Sequence, residues 1–177
     1  AARWLERMVG PGTVVAVVQN GVEHVARFRR WVDVSRLVPV MIDLPAERLR
    51  PGVVVQHGPG HMTVPASAPG RAFAELFDGS GIVVDVTHDI TSALWRKLCI
   101  NAVGAVNAVT LAPPRIARHD PVADLMRRIV QEAIAVGRAE GATLDDALAE
   151  DVVASYRQGP GDGINSMHAD RLEGRPM

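Results

Sequence analysis

The stretch from Ile90 to Leu111, ITSALWRKLCINAVGAVNAVTL, constrains this chain more than any other. Between Leu98 and Ala112 it carries no charged residue, and its polar side chains there are Asn101, Asn107 and Thr110. The run is shorter than the roughly 18 apolar residues that a bilayer span wants. A helix with apolar residues on every side is instead one packed inside a protein. The stretch therefore reads as a single long buried helix with a charged mouth. Lys97 stands at that mouth. Asn101 follows four residues later, on the same face and one turn on. An ammonium beside an amide on a central helix is suited to serving a reacting oxygen.

Lys97 is set apart in a second way. Of the 19 basic residues it is the one lysine; the others are arginines. A chain with this bias uses Arg for generic surface charge. A single Lys then points to a place that needs a compact ammonium able to give up a proton, which Arg does not do at ordinary pH. The competing explanation is chance survival of one Lys.

Net charge is −1 and aromatic residues make up 4% of the chain, which leaves neither a basic face nor stacking rings for nucleic acid. The single cysteine, Cys99, falls in the buried helix and has no internal disulfide partner, so a cytoplasmic, reducing compartment is expected. No membrane association is expected: the first residues, AARWLERMV, are amphipathic rather than a signal core. His57 and His61 are separated by Gly58-Pro59-Gly60, which forbids the helix a zinc pair would use, and no metal site is expected.

Taken in order, Ala1–Val9 reads as a short helix closed by Gly10-Pro11-Gly12. Thr13–Val18 is a β-branched run of the kind buried on both faces of a parallel sheet. It ends at Gln19-Asn20-Gly21, and Val22–Arg30 is helix-like. In α/β sheets ligands bind beyond the carboxyl ends of strands, where Asn20 sits, although Asn-Gly is also an ordinary turn pair. Val38–Leu44, Val53–His57 and His61–Val64 read as antiparallel strands, Pro69–Phe77 as a helix and Ile82–Val86 as a buried strand. Asp89 or Thr91 is the expected cap of the central helix. Beyond it no strand signal remains. Pro121–Glu140 carries Val122, Leu125, Ile129, Ala133 and Val136 on one stripe, Leu144–Tyr156 is a further helix, and another starts at Ser166. The expected organisation is α/β over residues 1–88 and all-α over residues 89–177.

No Gly-rich phosphate turn follows a strand anywhere in the chain: Gly10-Pro11-Gly12 precedes one, and Val15 stands where a third glycine is needed.

Three segments resemble the ketopantoate reductases. VVAVVQNGVEH is similar to their QNG turn, ALWRKLCINAV to their WxKLxxN helix, and NSMHADRLEGRP to their SM…D…G segment near the substrate. The resemblance spans nearly all 177 residues. It implies a partial Rossmann-like domain followed by a helical domain of the 6-phosphogluconate dehydrogenase C-terminal type. It further implies NADPH-dependent reduction of 2-dehydropantoate to pantoate, on the way to pantothenate and coenzyme A. Lys97 matches the catalytic lysine, and Asn101 and Ser166 match substrate-binding positions. Asn20 matches a residue near cofactor and substrate. Ser166 also reads as a helix N-cap, and a helix N-terminus favours a carboxylate.

Departures from the family pattern accompany these matches. Ala105 stands where a second asparagine is common, and Asn107 is the nearest substitute for binding substrate. A family glutamate is expected just after Met177, and the phosphate turn before Ala1, so the chain is expected to be a fragment. Rival expectations are a related 2-oxo-acid or opine-type reductase, or a non-catalytic helical dimerisation or ligand-sensing module. A homodimer is the assembly to test.

Overall fold

The computed structural model describes residues 2–176. Ala1, where the first helix is expected to begin, and Met177 lie outside them. The chain divides into two compact units, Ala1–Leu94 and Trp95–Met177.

The first unit is a mixed sheet with helices. Its elements are α1 (Ala2–Met8), β1 (Val15–Val18), α2 (His24–Phe28), β2 (Leu37–Asp43), β3 (Ala46–Arg50), β4 (Val53–Gln56), β5 (Gly60–Pro65), α3 (Ala68–Glu75) and β6 (Ile82–Thr87). The four-stranded sheet runs β1-β2-β5-β6, and β3 and β4 form a separate hairpin. β1 and β2 are parallel, as are β5 and β6, whereas β2 and β5 are antiparallel. Of the three middle strands read as antiparallel, β2 and β5 do pair that way, whereas β4 pairs with β3 instead of with either of them; β1, read as a strand of a parallel sheet, is parallel to β2. β2 changes neighbours along its length: Leu37–Val40 pair with β1, and Met41–Asp43 with β5. Pro39, which has no N–H to donate, falls in the half that pairs only with β1.

Alternation along β2 supplies both faces of the sheet. Val38 and Val40 pack with Met62 and Val64 against Phe73, Ala74 and Phe77, the residues of α3 and its exit. Leu37 points the other way, into a cluster with Val17, Val32, Leu5, Val25 and Phe28. Covering both faces of a sheet with helices is the Rossmann-like plan. β1 departs from expectation: Val17 is buried but Val18 is 46% exposed, because β1 is an outer strand with one neighbour. β3 was not expected as a strand. Its sequence, AERLR, is exposed at all five positions and carries no β-branched residue. The Pro51-Gly52 turn makes it, with Gly52 at φ 78° as such a turn requires.

The helix α4 (Ile90–Thr110) starts at the end of the first unit and continues into the second. Asp89, not Thr91, caps it: the Ser92 backbone N–H and hydroxyl both donate to its carboxylate, at 3.0 and 2.6 Å. Those bonds hold the Asp89 carboxyl below its ordinary range, the Ser92 hydroxyl being the larger cause. No helix among the described residues is long and apolar enough to cross a membrane.

The second unit is helical: the rest of α4, then α5 (Asp120–Ala139), α6 (Ala147–Gln158) and α7 (Ser166–Leu172). Its core includes Cys99, Val103, Met126, Val130, Ile134, Leu148 and Val152. The buried stripe of α5 is Ala123, Met126, Val130, Ile134 and Gly137, one residue away from the expected one. Leu125 and Val136, expected inside, are 47% and 52% exposed. Arg127 links α5 to α6 through Glu150 and also pairs with Asp124. The 3-10 turn Pro114–Arg118 that follows α4 receives the loop before α7. Its Arg115 N–H donates to the Gly161 carbonyl at 3.1 Å, and Arg118 Nη2 donates to the Gly159 carbonyl at 3.1 Å.

Candidate active site

Helical geometry decides which residues of α4 can act together. At about 100° per residue, Lys97, Asn101, Gly104 and Ala108 fall within roughly 60° of one another, so they form one stripe. Lys97 and Asn101 are half-buried, Gly104 and Ala108 buried. The stripe therefore runs from a partly open end into the core. Asn107 lies off it. That residue is fully buried, and its Nδ2 donates to the Ala112 carbonyl at 2.9 Å, past the residue Leu111 at φ 55°. Holding this left-handed exit of the helix is the work its contacts show. Its Oδ1 has no partner among the described residues.

α7 meets the stripe at Gly104. The Asn165 side chain donates from Nδ2 to the Gly104 carbonyl at 3.1 Å, and its Oδ1 accepts from the His168 N–H at 2.9 Å. Asn165, not Ser166, is therefore the cap of α7, and Ser166 is the first helical residue, with its side chain exposed. A Cβ on Gly104 would lie 2.9 Å from Asn165 Nδ2 and 3.1 Å from Met167 Cε, so glycine is what lets the two helices come this close. Ser166 consequently starts a helix whose first turn rests one turn beyond Asn101 on the Lys97 stripe. The sequence singled out Lys97, Asn101 and Ser166; the fold brings their segments together through Gly104 and Asn165, which it did not.

Two other groups bear on the chemistry. Cys99 is fully buried, and burial raises its thiol above the ordinary range, so it stays neutral and inert. In the first unit, His24 is fully buried with Nε2 2.9 Å from the Gln19 carbonyl. It holds the turn that carries Asn20 at the carboxyl end of β1, where Gly21 takes φ 106°. Burial lowers the His24 pKa, against the opposing pull of the Gln19 carbonyl.

Comparison with known proteins bears on the same segments. The profile of the ketopantoate reductase PanE/ApbA C-terminal domain matches residues 89–177, and that of the ketopantoate reductase PanE/ApbA family matches residues 1–69. The chain belongs to the ketopantoate reductase family. The 2-dehydropantoate 2-reductase of Caulobacter vibrioides is 47% identical over 174 residues, covering 98% of this chain and 60% of that protein. The Mycobacterium tuberculosis protein of the same name is 42% identical over 178 residues, covering 100% of this chain and 60% of the relative. The crystal structure of a PanE/ApbA family ketopantoate reductase from Ralstonia eutropha JMP134 superposes with a TM-score of 0.88 at 28% identity, covering 99% of this chain and 59% of that one. The chain spans about three-fifths of the length of the curated relatives it matches. This member of the family thus has the Rossmann-like and helical parts that the sequence implied, with Lys97 on α4.

Proposed function

We propose that the protein reduces 2-dehydropantoate to pantoate with NADPH, in pantothenate and coenzyme A biosynthesis. Residues 1–88 contribute to the cofactor domain, and residues 89–177 form the substrate domain. The observation that carries this reading is the Lys97–Asn101–Gly104 stripe meeting the start of α7 at Asn165 and Met167, the residues on either side of Ser166.

The first unit fits the nicotinamide end of the cofactor. β1 and β2 are parallel and in register, so their carboxyl ends lie side by side, and the Asn20 turn leaves β1 there. Asn20 would hold that end. NADPH supplies the hydride when bound. The chain's own residues do the rest. Hydride addition to the C2 carbonyl leaves negative charge on its oxygen. The Lys97 ammonium stabilises that charge and gives the proton. Asn101, one turn on, keeps ammonium and oxygen in line. Ser166 binds the substrate through its hydroxyl, and holding both ends of the substrate before reaction removes much of the entropic barrier. Soluble cytoplasmic action and a homodimer belong to the same proposal; a structural neighbour from Staphylococcus aureus is described as a dimeric ketopantoate reductase. Loss of NADPH absorbance on adding 2-dehydropantoate to the full-length protein is the test, and no turnover would sink the reading.

Ala105 favours a second reading. Alanine stands at 105, where the resemblance leads one to expect a second asparagine, so no amide projects from that position. A related 2-oxo acid is then the substrate. Ranking a panel of 2-oxo acids by kcat/KM separates the two.

A further inference from the structure

We propose that Asn165 is a positioning residue. Its carboxamide ties the first turn of α7 to one carbonyl of α4, and so sets where the Ser166 hydroxyl stands along the Lys97–Asn101 stripe. The role rests on the reading of the site given above.

The carboxamide makes two contacts at once, one as acceptor and one as donor. Oδ1 accepts the His168 N–H at 2.9 Å while Nδ2 donates to the Gly104 carbonyl at 3.1 Å. A carboxylate in its place keeps the first contact and cannot donate the second. The Gly104 carbonyl has a second lone pair, so it takes this bond in addition to its place in the helix ladder. The surrounding chain leaves the job to Asn165. Upstream, the loop is pinned at Gly159 and Gly161 by the turn after α4, but Gly163 and Ile164 are exposed. Downstream, His168 is buried and holds α7 onto the core. Such burial is non-directional, and it leaves the register of the helix along α4 open. A hydrogen bond to the Gly104 carbonyl closes it. Gly104 is the other half of the device, since any side chain there would push the Asn165 amide and Met167 away.

The capping and positioning jobs can be separated in the full-length enzyme. Asn165→Asp preserves the cap, because Asp and Asn cap equally well. It removes the donor to Gly104. The expected result is a melting temperature that falls by less than in Asn165→Ala, a KM for the 2-oxo acid raised about tenfold, and kcat within about twofold of the unaltered enzyme. Gly104→Ala keeps Asn165 and takes its room, while the gain in helix propensity supports folding; the same KM rise is expected. Asn165→Ala should show both the KM rise and a lower melting temperature. A residue that merely caps α7 predicts unaltered kinetics in Asn165→Asp. That outcome, or a normal KM in Gly104→Ala, overturns the positioning role alone. An unaltered enzyme that turns over no 2-oxo acid removes the functional reading, and this role with it.

Discussion

Trp95 and Gly137 meet with no room for a methyl group between them. A Cβ on Gly137 would lie 3.0 Å from Trp95 Cδ2 and 2.9 Å from Leu144 Cδ1. The contact seats α4 on α5 two residues before Lys97. Gly137→Ala gains helix propensity worth about 1 kcal/mol but overpacks the contact at a cost of about 1–3 kcal/mol. Leu144 can swing aside; the indole ring cannot without moving α4. A net loss of stability is expected in urea unfolding, with a fall in kcat because Lys97 moves with the ring. Wild-type stability and turnover together would show that the interface accepts the extra carbon.

Lys97→Ala should lower kcat by about 10²–10⁴ if its proton is the one delivered to the carbonyl oxygen. Lys97→Arg should restore little, since a guanidinium keeps the charge and holds its proton. Steady-state kinetics on both variants decide this, and a fast Lys97→Ala enzyme would remove Lys97 from the mechanism.

Ser166→Ala should raise KM and spare kcat, the pattern of binding lost equally from ground and transition states. Because Asn165 is the cap, the melting temperature should not change. A drop in stability with normal KM would return Ser166 to a structural role.

His24 makes stability depend on pH. Its folded pKa is depressed by burial, while the unfolded value is about 6.5. Below about 6.5 the unfolded chain takes up protons that the folded chain refuses. The contribution is therefore fully present above that pH and is lost as pH falls through the folded value. Urea midpoints measured from pH 7.5 down to pH 5 should fall for the native protein and fall less for His24→Gln. Parallel slopes would show that another group is responsible.

Long, strongly patterned elements were legible in the sequence; contacts that depend on exact rotation were not. The charge-free run after Lys97 announced α4, and the β-branched runs announced β1 and β6. The α5 stripe was placed one residue off because apolar side chains occur on two adjacent faces. Small residues, Ala123 and Gly137, mark the buried one, where the Trp95 ring takes up the volume. Hydrophobicity alone cannot report that. β3 was hidden because its exposed, charged residues owe their conformation to the Pro51-Gly52 turn. At the site, residue type and helical spacing pointed to Lys97, Asn101 and Ser166. Asn165 stayed hidden behind Ser166, since either residue type caps a helix and only the backbone, extended at Asn165 with φ −86° and ψ 170°, decides between them. His24 left no signal either: a histidine in an amphipathic segment reads as surface until the fold closes over it.

The solitary lysine also has an analytical consequence. Lysine labelled with nitrogen-15 places a single side-chain ammonium signal in the spectrum of the 177-residue chain, with no assignment to make. Its movement as pH is stepped, or as a 2-oxo acid is added, would report on Lys97 and on no other side chain. Reductive alkylation would mark that amine and the chain's α-amine, so the share of the Lys97 peptide that gains mass would count how many molecules have that mouth of the helix open.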